Sequence, residues 1–338
     1  MSDEIDDNDI DADVLAEIRH AAYDLRESDP QEAVKVLRRI AKQGGLAAAL
    51  AHGALGEIYL TELGDLDAAE ASFRAVLASE PKLPAAYIGL GRVLREAGRL
   101  READDALTHA LLGLTHDTTA MKTARDAGEP IEGDEATVLE LLEVAVELCE
   151  IRHQLGSNGS TRTPIDEGIL AWAASARLFD TDESDDDDGA QDDWAQFHAL
   201  WARLRTLTHR ANEAVTALAE AEAKQELDPM SAARLRSEAM ELAGDNAGSL
   251  EQAQRLRTIT KETDEFFRPD DVEHLAGLLQ AAGDETQAQA VIQEALAQAE
   301  KELKDPELNE DVRAAFEEAA EGYRKALGSA AQVQLGRR

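Results

Sequence analysis

Cys149 and His153 stand four residues apart, a spacing that brings a thiolate and an imidazole to one side of a helix, where both could reach one metal ion. Two ligands do not make a site, and Cys149 falls on an apolar stripe with Val138, Leu141, Leu142, Ala145 and Leu148, so packing accounts for it. The acid run from Asp180 to Asp193 holds four consecutive aspartates, Asp185 to Asp188, and carboxylates are calcium ligands. The spacing fails, however: with Gly189 as the turn glycine, Ser184 takes the first ligand position and Ala195 the position that needs a bidentate glutamate. The run reads instead as a solvated loop. His109 and His116 lie two turns apart where a helix is expected to end, and interaction with that terminus explains them. There is no Gly-x-x-x-x-Gly-Lys-Ser/Thr loop, no Gly-x-Gly-x-x-Gly, no His-Glu-x-x-His and no Gly-x-Ser-x-Gly. No catalytic residue, cofactor or metal site is expected, and the protein reads as non-enzymatic.

The helices that would position such residues are written in a repeat. Gly64 and Gly98 lie 34 residues apart. Each is followed at the same offsets by an alanine (Ala69, Ala103), a large apolar residue (Phe73, Leu107) and a smaller one (Val76, Ala110). A Leu-Gly pair precedes each, Leu55-Gly56 and Leu90-Gly91. Such a period is the signature of stacked helix pairs: small side chains let the second helix approach the first, the larger one fills the groove, and stacking buries what one pair cannot bury alone. Ala33, Leu37 and Ile40 keep these offsets from Ser28, and Ala288, Ile292 and Ala295 keep them from Gly283.

Leu55, Gly56, Tyr59, Gly64, Ala69, Phe73 and Pro81 resemble the tetratricopeptide repeat; the second copy departs from it with Leu94 and Leu107 at aromatic positions and Thr115 where the proline would fall. The resemblance implies an all-α fold of antiparallel helix pairs forming an α-solenoid, with a protein segment held on the face made by the first helix of each pair. Some relatives clamp a peptide's terminal carboxylate there with lysines and asparagines. The matching positions here are Gly53, Ala54, Glu57 and Thr61, then Ile88, Arg92, Arg95 and Glu96, so that clamp is absent. Glu57, Tyr59, Ile88, Arg92 and Arg95 are the candidate partner-binding residues. With Arg92 and Arg95 as its cations, the face suits a helix or extended segment bearing an acidic residue.

The pattern divides the chain into an acidic tail at 1–12, an N-terminal array at 13–118 with units near 13–45, 48–83 and 84–117, connecting helices at 119–179, an acidic loop at 180–193, C-terminal helical repeats with a capping helix at 194–328, and a tail at 329–338. Helix starts are expected at Asp13, Asp29-Pro30 (with Glu32 reaching back), Thr163-Pro164, Asp228-Pro229 and Asp270. Trp194, Phe197, Trp201 and Leu204 form a helical stripe continuing through Ala211, Val215 and Leu218 toward Glu226, either a hydrophobic seam or an exposed aromatic anchor. The last helix, near 307–327, should turn Val312, Phe316, Ala319 and Ala320 inward.

Seventy acidic residues against 34 basic ones give a net charge of −36, which repels nucleic acid. Either the source is salt-loving and carries acidic surfaces throughout, or the acid attracts a basic partner. One cysteine excludes an intrachain disulfide. No apolar run approaches the ~18 residues of a membrane span, and no signal segment is visible, so a cytoplasmic protein without membrane or nucleic-acid partners is expected. The functional expectation is a scaffold or adaptor for a protein partner, in complex assembly or chaperoning; the alternative is a regulatory or structural subunit packed on a catalytic chain.

Overall fold

A computed structural model describes residues 10–127, 135–156, 164–165, 167–175, 188–263, 268–304 and 308–336. Among them are fifteen helices and no strand. The chain divides into two compact units, residues 1–183 and 184–338. In the first, α1 (Ala12–Arg19) runs on through a π-helical stretch, His20–Leu25, and a last turn, Arg26–Ser28. There follow α2 (Pro30–Ile40), α3 (Gly45–Thr61), α4 (Leu66–Ser79), α5 (Pro84–Glu96), α6 (Leu100–Ala127), α7 (Glu135–Gln154) and α8 (Glu167–Ser175). The second holds α9 (Asp188–Leu207), α10 (Ala211–Ala223), α11 (Pro229–Leu242), α12 (Asn246–Thr263), α13 (Pro269–Ala281), α14 (Glu285–Glu302) and α15 (Glu310–Gly336).

The repeat residues do what their spacing requires. Ala69, Phe73, Val76, Ala103, Leu107 and Ala110 are buried, as are Ala33, Leu37 and Ile40 before them and Ala288, Ile292 and Ala295 in the second unit. Burying a side chain of that size stabilises by about 1.5–3 kcal/mol, which is why the pattern is repeated. Phe73 fills the groove against Gly56 and Gly89, and Leu107 lies against Gly91. The turns use a two-residue device. Gly64 at φ 63° and Gly283 at φ 83° sit in the left-handed region that ends a helix, with nothing within 4 Å of an added Cβ, so conformation and not space selects glycine. The next residue is an aspartate that caps the second helix: Asp65 accepts the Ala68 N–H at 3.1 Å, and Asp284 accepts the Gln287 N–H at 3.0 Å.

Arginine–carboxylate ties join successive pairs. Arg26 donates to Glu62 at 2.7 Å and to Thr61 at 2.9 Å, Arg99 to Glu70 at 2.7 Å, and Arg152 to Asp104 at 2.6 Å. In the second unit Glu222 receives both Arg236 and Arg255, and Glu294 receives Arg257 and Lys261. Tyr323 of α15 is buried in one cluster with Leu275, Leu279 and Val291, closing that stack.

Several expectations change. The first helix is capped by Asp11, which accepts the Asp13 N–H, not by Asp13. Asp29 accepts the Glu32 N–H as expected, but the Glu32 carboxylate turns to Lys35 instead of reaching back. Helix α6 does not stop near Thr118; Thr118 and Met121 are buried and carry it to Ala127. His109 is therefore mid-helix, its ring stacked on Tyr87 at 5.0 Å. The stripe from Trp194 is two helices: His209 at φ 60° and Gln225 at φ 63° end α9 and α10 without a glycine. Residues 188–193 of the acid run are helical, the first turns of α9, and its earlier part lies outside the described residues. Arg268, with no capping side-chain bond, precedes α13 and leaves Asp270 in its first turn. Val312 is 44% exposed, not inward-facing. Thr163, the expected cap at the Thr163-Pro164 start, lies outside the described residues.

Candidate partner-binding surface

The first helices α3 and α5 pack side by side, and the arginines of α5 carry the row on to α7. Leu50, Gly53 and Glu57 recur along one stripe of α3 at helical spacing, as Ile88, Arg92 and Arg95 do on α5. Tyr59 and Ile88, expected to touch a partner, are 5% and 7% exposed and belong to the core; Arg38 lies over the Tyr59 ring at 5.6 Å. They hold the helices and offer little area to anything else. Leu50, which was not singled out, is 39% exposed at the start of the α3 stripe.

Arg92 and Arg95 are not free cations. Arg92 donates to Glu147 at 2.9 Å and to Glu143 at 3.3 Å, and Arg95 donates to Glu147 at 3.2 Å. Desolvation works against the charge of Arg92, yet Glu147, Glu143 and Glu57 outweigh it and hold the guanidinium above its ordinary range. Glu143 and Glu147 thus hold the two guanidinium groups that the sequence offered as the cations of this face.

On α3, Gly53 is a position that internal packing leaves unexplained. A Cβ built on Gly56, Gly89, Gly91 or Gly113 would meet a side chain within 2.8 Å, whereas one built on Gly53 meets nothing within 4 Å. A glycine inside a helix costs roughly 0.5–1 kcal/mol relative to alanine, and here no neighbour returns it.

The Cys149 thiol is not set up as a nucleophile. Cys149 is 2% exposed, burial pushes its thiol up to about 11, and His153 stands exposed, so the two do not converge. No cluster among the described residues could hold a metal ion, and no helix among them is long and apolar enough to cross a membrane.

Comparison with known proteins agrees with the geometry. Two family models described as tetratricopeptide repeat match residues 18–84 and 60–125. A tetratricopeptide repeat protein from Parabacteroides merdae ATCC 43184 shares the fold at 13% identity, with a TM-score of 0.50 over 92% of this chain and 99% of the other. Two further structures match more loosely. An assembly chaperone of RpL4 (Acl4) has 17% identity and a TM-score of 0.49 over 81% of this chain and 99% of that one. An APC/C hetero-tetramer Cut9-Hcn1 has 14% identity and a TM-score of 0.42 over 95% of this chain and 50% of that one. No curated protein matches the sequence. With repeat models covering residues 18–125, buried repeat residues in both units and an all-helical fold among the described residues, the chain is a tetratricopeptide-like helical-repeat protein.

Proposed function

We propose that the first-helix face of residues 13–118 holds a segment of a basic partner protein, and that the protein serves as a non-enzymatic scaffold or adaptor in a cytoplasmic assembly. The observation that carries this reading is the unfilled space over Gly53, beside the exposed Leu50 and the Glu57 carboxylate. A bare helix backbone lets another chain approach closely, an apolar residue offers an anchor, and the carboxylates of Glu57, Glu143 and Glu147 supply charge complementary to lysine or arginine. The net charge of −36 acts in the same direction and keeps nucleic acid away.

The test fills the space. Gly53→Leu places a side chain where the folded chain has room, so helicity and melting temperature should be kept while recovery of stoichiometric partners from the native cytoplasm drops at least about tenfold. Ala71→Leu, on an exposed site of α4, serves as the size-matched control and should leave recovery unchanged. Equal recovery by wild type, Gly53→Leu and Ala71→Leu would remove α3 from the interface and end this reading.

A further inference from the structure

The second unit has a recess of its own on its first-helix face. A cavity of about 270 Å³ opens between α11, α12 and α13. Its apolar lining is Ala253 and Leu256, both at most 3% exposed, and its polar wall includes Glu238 and Asp270. Arg234 is committed: it holds the buried Asp271 through two bonds, Nε to Oδ1 at 2.7 Å and Nη2 to Oδ2 at 2.8 Å. Ser237 is committed as well, donating to the Ser249 carbonyl at 2.8 Å and facing His274 Nε2 at 2.8 Å. His274 Nδ1 in turn lies 3.4 Å from Glu241. The depth of the recess is thus closed by its own bonds, whereas Glu238 and Asp270 have no hydrogen-bonded or ion-paired partner among the described residues.

We propose that this recess is a socket for one lysine or arginine side chain presented by a partner segment, its aliphatic stem against Ala253 and Leu256 and its charged head between Glu238 and Asp270. The match is between an amphipathic guest and an amphipathic cavity: long basic side chains bury their methylenes and keep the charge at a polar rim. An anionic guest fits less well. Its natural receiver, Arg234, is already held by two oxygens, and the first turn of α13 carries Asp270 and Asp271, which leaves the exposed Arg268 as the uncommitted cation of the lining. Glu238 is exposed at the rim, and desolvation by the surrounding wall raises its carboxyl above the ordinary range against the pull of His274, Arg203 and Arg234. Gly277, one turn beyond His274 on α13, is exposed with nothing within 4 Å of an added Cβ, so the partner's backbone can run close beside the socket. This socket lies in the second unit and does not depend on the α3 surface.

The full chain with labelled leucine methyls can be titrated with N-acetyl-arginine amide and, as an uncharged aliphatic control, N-acetyl-norleucine amide. The Leu256 methyls should shift saturably with the arginine probe and not with norleucine. The isosteric double variant Glu238→Gln/Asp270→Asn should weaken that response about tenfold. Ala253→Met, which fills the apolar side and keeps both carboxylates, should abolish it. Gly53→Leu should leave it intact, which separates this socket from the α3 surface. A Leu256 response that norleucine reproduces, or that survives both the double variant and Ala253→Met, overturns the assignment.

Discussion

The Phe73 ring lies against the bare backbone of Gly89: a Cβ placed on that glycine would come within 2.3 Å of ring carbons Cε1 and Cζ. The same ring stands 2.7 Å from the place of a Cβ on Gly56, so one side chain of α4 is held between two first helices. Adding a methyl group at Gly89 therefore has to move a phenylalanine that is 2% exposed.

Gly89→Ala should lower stability by about 1–3 kcal/mol despite the better helix former it introduces, because overpacking outweighs propensity. Urea unfolding followed by circular dichroism measures it. A neutral or stabilising result would mean that Phe73 can turn aside at no cost, against the packing described.

Gly53→Ala should do the opposite. With open space around it, alanine gains roughly 0.5–1 kcal/mol of helix propensity and nothing is displaced. The same denaturation experiment reads a higher midpoint, and the partner's dissociation constant should rise if the bare backbone is where the partner approaches.

His198 provides a pH signature. It is 8% exposed, stacked on Trp194 at 5.6 Å, and Nε2 lies 3.2 Å from Glu226. Desolvation, with repulsion from Lys224 and Arg205, pushes the imidazole down to about 4; the Glu226 carboxylate pulls the other way, but burial under the indole prevails. The folded state therefore prefers the neutral ring. That stability is fully present above the unfolded value near 6.5 and is lost as pH falls toward 4. The stability of wild type minus that of His198→Gln should decline by about 3 kcal/mol across that window. A difference independent of pH would mean that the imidazole titrates alike in the folded and unfolded states, against the burial described.

Salt should act in opposite directions on fold and complex. The net charge of −36 repels itself, so raising ionic strength from about 0.05 to about 0.5 M should raise the melting temperature. Ties such as Arg92 to Glu147 are half-buried and lose less to screening. Over the same range, binding of a basic partner should weaken at least about tenfold. Binding indifferent to salt would point to a neutral partner.

The parts legible in the sequence were those fixed by local spacing. Phe73 and Leu107 declared themselves through their distances from Gly64 and Gly98, because helix packing repeats with the chain. His209 and Gln225 did not, since a left-handed helix end normally announces itself as glycine and here is held by residues of ordinary type. The π-helical stretch His20–Leu25, which changes the residues per turn, has no counterpart in the spacing pattern and was not expected. On the candidate surface, Arg92 and Arg95 read as the cations of the face, and nothing in the sequence tied them to Glu143 and Glu147. Their pairing spans 51 to 55 residues and follows no helical period, so only the stacked helices reveal it. Tyr59 and Ile88 were assigned to the partner-binding face from their places in the repeat, but both are buried. Gly53 was visible as a residue, but its lack of neighbours was not.

The turns at Gly64-Asp65 and Gly283-Asp284 complete themselves within a handful of adjacent residues, and around either glycine there is vacant space. Each hairpin thus carries within its own turn the signal that stops its first helix and the signal that starts its second, so ancestral copying or laboratory grafting can move a whole hairpin, turn included, without redesigning that turn.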